Sequence, residues 1–437
     1  MMRLKVAKFG GSSVADANQF KKVQNIIESD ENRRYVVTSA PGKRDKKDYK
    51  ITDLLYLCHA HVKHSVPFDQ MFDMIDNRYL GIVEELNLSI DLKPYLQEIK
   101  EKISKGASVD YTASRGEYLN GIILSELLGY TFLDATEIIA FDEYGDLDQQ
   151  NTQKQIKEKL LQHEKAVIPG FYGAMPNGEI KTFSRGGSDV TGSIIAQGVG
   201  AEIYENWTDV SGFLMADPRI VNNPKPIKII TYQELRELSY MGATVLHEES
   251  VFPVKEAGIP INVRNTNEPE NSGTLIVNQK DSAPGTITGI AGKKDFTVIA
   301  IQKNRMHAEI SFIRKLLSIF EENQVPVEHL PSGIDTISIV IEDAYLGNKV
   351  NKLVKEIREQ CSPDSIEVHP NMALIATVGD GMVYSRGVSA KLFSSLAKAN
   401  VNIRMIDQGS SEMNIIVGVE TNDFEKAVEA IYHGFVE

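Results

Sequence analysis

Residues 4–13 read Leu4-Lys-Val-Ala-Lys-Phe-Gly-Gly-Ser-Ser13. A short apolar-rich run ends in a glycine pair, and Phe20, Val23, Ile26 and Ile27 then recur at helical spacing. Strand, glycine turn, helix is the unit from which sheets covered by helices are built. The unit recurs outward from this stretch. Tyr35–Ala40 is a second buried strand, closed by Pro41–Gly42, and residues 51–105 carry mostly helical patterns. Tyr130–Asp134, Glu137–Phe141 and Ala166–Phe171 read as short strands, and Gly173–Gly178 as a turn-rich stretch. A helix is expected after Gly187 and a strand over Glu202–Trp207. The alternation predicts an α/β sandwich around a largely parallel sheet.

Glycine, proline and lysine accumulate over Gly285–Lys294, and the pattern restarts at Phe296. The remainder repeats itself. Val325 matches Val401, Val327 matches Ile403, Leu330 matches Ile406 and Gly333 matches Gly409, at a constant offset (401 − 325 = 76). Leu316, Leu317 and Phe320 match Leu392, Phe393 and Leu396 in the preceding helices. Each copy reads helix, strand, turn, strand, helix, with the second copy's first strand over Val401–Met405.

The 437 residues are 42% hydrophobic and 24% charged, a composition of globular chains with two to four domains. With 47 basic and 60 acidic residues the net charge is −13, which argues against nucleic acid or an anionic membrane as partner. Cys58 and Cys361 are too few for a disulfide framework or a four-cysteine metal site. With no signal peptide or transmembrane stretch in view, a reducing, cytoplasmic setting is expected. His59, His61 and His64 are read as a surface helix rather than a metal site, and Lys43–Lys50 as a solvated loop.

Lys8-Phe-Gly-Gly-Ser-Ser13 sits where a strand meets a helix. Backbone N–H groups there, with the Lys8 charge beside them, suit a phosphate. The lysine precedes the glycines, so this is not a Walker A sequence. Phe183-Ser-Arg-Gly-Gly-Ser-Asp189 is a second element of the same kind. In order along the chain stand KFGGSSV, VTSAPGK, ASRGE, GFYGAMPNGEIKTFSRGGSD, WTDVSG and ADPR. This ordered set resembles the aspartate kinases of the amino-acid-kinase family, over essentially the whole chain. The resemblance implies a three-layer α/β kinase domain over residues 1–292. Two α+β, ferredoxin-like ACT modules are implied over 293–368 and 369–437, of a kind often intertwined in the family, and a homodimer or dimer of dimers through them.

The implied reaction transfers the γ-phosphate of ATP to the side-chain carboxylate of L-aspartate. That acid, with a pKa near ~3.9, is already ionised at neutral pH, so charge neutralisation and positioning are what catalysis must supply. Lys8 is assigned to the transferring phosphoryl group, with Gly10, Gly11 and Ser12 as phosphate-facing donors. Gly186, Gly187 and Ser188 are the second such set. By resemblance, Arg185 takes the substrate α-carboxylate and Glu117 the α-ammonium, with Asp189 a further candidate for that ammonium. Ser39 and Thr52 lie near the substrate, although Ser39 also suits a strand-end cap and Thr52 a helix N-cap. Without the family, Glu117 reads as a solvated helix residue. Thr208 and Asp209 are assigned to adenosine and Arg219 to the phosphates. Mg²⁺ is expected to arrive with ATP, with no dedicated protein ligand. The expected effector region comprises Met306, Glu309, Ile313, Pro326, Val327 and Glu328, with lysine the first choice of effector and threonine the second. A fused homoserine dehydrogenase is not expected beyond Glu437. Leu214 and Thr244 stand where the family often has tyrosine and lysine. They leave open a catalytically weak amino-acid sensor, and a kinase for another amino acid is the remaining alternative.

Overall fold

The computed structural model describes residues 4–184, 186–243, 246 and 248–436. Contacts divide the chain into two units, Met1–Phe213 with Lys228–Tyr232 and Val245–Lys280, and Leu214–Ile227 with Gln233–Thr244 and Asp281–Glu437.

The first unit begins with β1 (Lys5–Phe9), α1 (Ala17–Glu28) and β2 (Arg33–Thr38). Asp16 caps α1 by accepting from the Gln19 N–H, and Phe20, Val23, Ile26 and Ile27 are its buried face. A helical layer follows: α2 (Ile51–Lys63), α3 (Asp69–Glu85), α4 (Lys93–Ser104) and α5 (Val109–Leu128). Ser108 caps the start of α5 through the Tyr111 N–H, and Gly129 ends it at φ 65°. Then come β3 (Thr131–Phe132), α6 (Gln149–Glu158), β4 (Ala166–Pro169), the hairpin β5 (Tyr172–Ala174) and β6 (Ile180–Thr182), α7 (Gly187–Val199) and β7 (Ile203–Thr208). Two-residue strands β8 (Phe213–Leu214) and β9 (Pro226–Ile227) precede β10 (Ile229–Thr231), α8 (Tyr232–Tyr240), α9 (Phe252–Glu256), β11 (Ile261–Asn265) and β12 (Thr274–Val277); of these, Leu214, β9 and α8 from Gln233 onward belong to the second unit.

Eight strands form one sheet in the order β10-β12-β11-β7-β1-β2-β4-β3. Only β11 and β12 run antiparallel; the other pairs are parallel. The largely parallel α/β sandwich is therefore present. Strands β1, β2, β4 and β7 end together, because Phe9 pairs with Thr38 and Trp207, and Thr38 with Pro169. The crevice outside such carboxyl ends is where ligands of parallel sheets bind.

Some expected elements differ. Glu137–Phe141 is not a strand. The Asp134 carboxylate accepts from the Thr136 N–H and closes a 3-10 turn over Ala135–Glu137, leaving isolated bridges at Ala140 and Phe141. The expected turn over Gly173–Gly178 contributes to a hairpin, with its tight point at Gly178, φ 83°.

The second unit carries β13 (Gly289–Gln302), α10 (Phe312–Glu322), β14 (Thr336–Glu342), α11 (Asp343–Leu346), α12 (Val350–Cys361), β15 (Ser365–Val378), α13 (Val388–Lys398), β16 (Met405–Asp407), β17 (Asn414–Glu420) and α14 (Phe424–Val436). Both ends of α13 lie 76 residues beyond those of α10 (388 − 312 and 398 − 322). The helix ends match as well. Gln324 and Asn400 both sit at φ 52°, and the Val325 and Val401 N–H groups close back onto Phe320 and Leu396. Those N–H groups belong to the helix end rather than to a ladder. For that reason no strand covers 401–404, and β16 begins only at Met405. The two copies share one antiparallel sheet, β14-β13-β15-β17-β16. Strand β13 pairs through Phe296–Gln302 with β14 and through Gly289–Lys293 with Leu374–Val378 of β15. Residues 292/293 and 368/369 thus fall inside strands. Leu316, Ile319 and Ile339 belong to one core, and Leu392, Leu396 and Ile415 to the other. Among the described residues no helix is long and apolar enough to cross a membrane.

Candidate active site

A cavity of about 170 Å³ opens beside the ends of β1 and β2. That is room for about five waters. Lys8, Ser39, Thr52 and Glu117 form part of its wall, and Gly186, Gly187, Ser188 and Asp189 at the start of α7 form the rest with Phe171. Six separate stretches thus converge, from β1, the end of β2, α2, α5, the β4–β5 connection and the start of α7.

Lys8 is only 6% exposed. In the sheet it pairs with Asn206, so the two side chains stand together on one face. Both donate to the same oxygen of Asp189, Lys8 Nζ at 2.6 Å and Asn206 Nδ2 at 2.7 Å. The Tyr204 hydroxyl holds the Asp189 carbonyl at 3.2 Å. A cation is thereby kept at the cavity wall in an otherwise acidic protein.

Glu117 lines the same cavity. It is 5% exposed, not a solvated helix residue. Its Oε2 has no hydrogen-bond partner among the described residues. Burial pushes its carboxyl up to about 8, while the Ala40 N–H and, more weakly, Arg115 pull it down. Arg115 anchors α5. Its buried guanidinium lies 4.7, 4.4 and 5.3 Å from the ring centres of Tyr111, Tyr118 and Tyr172. At the base of the same helix, the Asp110 carboxylate accepts from the Thr182 N–H and hydroxyl.

Thr52 is not the cap of its helix. That position is Lys50, and Thr52 lies in the first turn of α2 facing the cavity. The first turns of α2 and α7 both contribute wall, so two helix N-termini favour an anion there. Ser39 likewise faces the cavity, and its N–H donates to the Phe9 carbonyl at 3.1 Å.

The glycine turn corrects one expectation. The Gly10 N–H donates to the Trp207 carbonyl at 2.9 Å, so it is not among the donors a phosphate would meet. Gly11 packs against the second turn. The Gly42 N–H donates to the Gly11 carbonyl at 2.8 Å, and a Cβ on Gly42 would stand 2.7 Å from the Gly11 carbonyl carbon. Arg78, buried and paired with Asp48 at 2.6 Å, holds the Gly42 carbonyl from the Lys43–Lys50 side. Thr208 ends β7 and bonds Asp209 just beyond it at 3.2 Å, with the Thr208 carbonyl accepting from the Thr266 N–H. Arg219 belongs to the second unit, where it forms a fork with Asp217 at 2.6 Å. Arg185, Thr244 and His247 lie outside the described residues.

Sequence reasoning missed Phe171 and Asn206. Phe171 sits at φ 80°, where a bulky residue is strained. Its N–H bonds the Thr191 hydroxyl at 3.0 Å, and a Cβ on Gly187 would come 2.4 Å from its Cδ2. The sequence reads Gly186–Gly187 as a phosphate element, but gives no sign of its packing against Phe171. Gly187→Ala is therefore expected to lower stability by about 1–3 kcal/mol and to lower activity as well, read by thermal melting and turnover. An unchanged melting temperature would contradict this account of Gly187.

In the effector region, Met306 is buried and Ile313 exposed. Glu309 is already paired with Lys303 at 2.6 Å and Lys315 at 3.1 Å. Glu328 accepts from the Tyr240 hydroxyl, next to exposed Pro326 and half-buried Val327.

A cation, two helix N-termini and a buried carboxylate thus line one small cavity, a set of groups that suits a phosphate beside a small charged molecule. The amino acid kinase family model matches residues 3–265, and an ACT domain model matches 375–435. Aspartokinase 3 of Bacillus subtilis is 36% identical over 447 residues, covering 99% of this chain and 98% of that protein. The Clostridium acetobutylicum aspartate kinase structure is 62% identical with a TM-score of 0.93, covering 99% and 100%. Escherichia coli aspartokinase III is 25% identical. It superposes at TM-score 0.77 in its complex with lysine and aspartate (100% of both chains) and at 0.74 with aspartate and ADP (99% and 100%). The chain belongs to the aspartate kinases of the amino acid kinase family, and carries the ACT domain found with them.

Proposed function

We propose that the enzyme transfers the γ-phosphate of ATP to the β-carboxylate of L-aspartate, giving 4-phospho-L-aspartate. This would be the first step of lysine, threonine and methionine biosynthesis. The observation that carries the reading is that Lys8 and Glu117, a buried cation and a buried carboxyl, line one small cavity. Glu117, with an unpartnered oxygen, accepts from the substrate ammonium. Arg185, by its place in the second glycine element, takes the α-carboxylate. The β-carboxylate then points toward Lys8, which offsets negative charge as the phosphoryl group moves. No general base is needed, because the attacking oxygen is already anionic. Asp189 orients Lys8 through their 2.6 Å contact. Gly11, Ser12 and the first turn of α7 are the phosphate-side donors. Adenosine falls to Thr208 and Asp209, and Arg219 to the phosphates. Mg²⁺ is taken to arrive with the nucleotide, bound by its phosphates.

Control is assigned to the shared five-stranded sheet, with an amino-acid effector at Met306–Ile313 and Pro326–Glu328. Lysine is the favoured effector, supported by the lysine complex of the E. coli relative. Its ammonium displaces the Tyr240 hydroxyl from Glu328, since Glu309 is already neutralised by two lysines. A homodimer formed through the ACT modules, in the cytoplasm, completes the reading.

Incubation with ATP, Mg²⁺ and hydroxylamine is expected to give aspartyl hydroxamate from aspartate and far less product from glutamate. Equal use of glutamate, or no product, would reject the substrate assignment. Lysine is expected to inhibit, and Glu328→Ala to weaken that inhibition at least tenfold with uninhibited turnover retained. Inhibition by threonine alone would replace lysine as effector.

A further inference from the structure

Helix α5 holds one peptide bond beside the cavity. The Ser39 carbonyl accepts from Asn120 Nδ2 at 2.7 Å. The N–H of the same peptide, on Ala40, helps to lower the pKa of the Glu117 carboxyl. Residues 117 and 120 are one helical turn apart and share a face. The Thr38 hydroxyl also reaches the Ser39 carbonyl, at 3.1 Å.

Asn120 is 0% exposed, and its Oδ1 has no partner among the described residues. Turning the amide over would set that oxygen against the Ser39 carbonyl, two acceptors face to face, so its orientation is determined. A buried, half-satisfied amide is a poor device for stability; an apolar side chain of the same shape avoids the orphaned oxygen. Its remaining contribution is the hold on the peptide.

That peptide joins the two sides of the site. The Ser39 N–H is tied to Phe9, next to Lys8. A Cβ on Gly11 would stand 3.0 Å from the Ala40 carbonyl oxygen, and one on Gly116 would stand 2.7 Å from the Ala40 Cβ. The Ser39–Ala40 main chain is therefore wedged between the glycine turn and α5. Where this peptide sits sets the spacing between Glu117 and Gly11–Ser12.

We propose that Asn120 is a positioning residue. It orients the Ser39–Ala40 peptide so that an acid bound at Glu117 is held in line with a phosphate bound at Gly11–Ser12. It touches neither reactant and acts through Ser39 and Ala40. The inference rests on the kinase reading above.

A misplacement of about 1 Å between reacting groups costs on the order of 100-fold in rate without removing binding contacts. Asn120→Leu is therefore expected to lower kcat by about 10- to 100-fold. KM for aspartate and for ATP should stay within about threefold of the native values, with a melting temperature unchanged or raised. Asn120→Ser, which leaves space for a hydroxyl or water to donate to the Ser39 carbonyl, is expected to keep more kcat than Asn120→Leu. Wild-type kcat in Asn120→Leu would overturn the assignment. So would losses of kcat that only track losses of melting temperature in both variants. If Asn120→Leu does not fold, Asn120→Ser decides. A lowered kcat with intact KM and melting temperature supports the role, and wild-type kcat rejects it. Should the native enzyme phosphorylate a different carboxylic acid, the substrate reading fails on its own, and the kcat–KM split is read with that acid.

Discussion

Lys8→Ala should lower kcat for aspartyl phosphate formation by about 10²–10³-fold, the range for losing a preorganised group aimed at transition-state charge. KM for aspartate should change little, because Glu117 and its wall of α5 are untouched. Removing Lys8 also leaves the Asp189 carboxylate without its cation, held by Asn206. That negative charge repels the ATP phosphates and should raise KM for ATP, so Lys8→Ala combined with Asp189→Asn should recover part of that rise. Hydroxamate assays over a range of ATP and aspartate concentrations test both statements. A kcat within threefold of native for Lys8→Ala would remove Lys8 from the phosphoryl site.

Aspartate binding at pH 7 should release close to one proton from the protein. In the free enzyme, burial holds the Glu117 carboxyl at about 8, so it is mostly protonated at pH 7. Pairing with an ammonium favours the ionised form and expels that proton. Release should fall to about half near pH 8 and vanish above pH 9. Calorimetry in two buffers of different ionisation enthalpy reads it directly; identical binding heats would contradict the pairing.

The same residue makes an opposite prediction for stability. Its folded value lies above the ordinary 4.5, so its contribution to stability is fully present below that value and is lost as pH rises to about 8. Glu117→Gln should therefore be more stable than native at pH 9, by up to a few kcal/mol at about 1.4 kcal/mol per pKa unit. It should also raise KM for aspartate by at least about 30-fold, the effect of losing roughly 2 kcal/mol from a buried charge contact. A site that binds better than it folds is consistent with a group retained for function.

The parallel sheet was legible because β1, β2, β4 and β7 are apolar runs closed by turn residues. The repeat was legible because helices of equal length recur at one offset. Glu137–Phe141 misled, because Asp134 offers the backbone a turn that competes with strand pairing. Val401–Met405 misled because helix α13 claims the Val401 N–H for its own end. Thr52 could be read as a cap or as cavity wall, and only the start of α2 at Ile51 decides between them.

The chain by itself determined which chemistry was available: a lysine before a glycine pair, a second glycine pair followed by aspartate, an acidic residue on a helix, and a duplicated tail. These signals are local, carried by neighbouring residues and by periodicity. Tertiary structure alone decided which of them meet. It brought Lys8, Ser39, Glu117 and Asp189 to one cavity from four distant stretches. It removed the Gly10 N–H from the phosphate donors, added Phe171 and Asn206, and raised the Glu117 carboxyl by burial. Desolvation and hydrogen-bond competition depend on partners far away in the chain, and no spacing along a sequence encodes them.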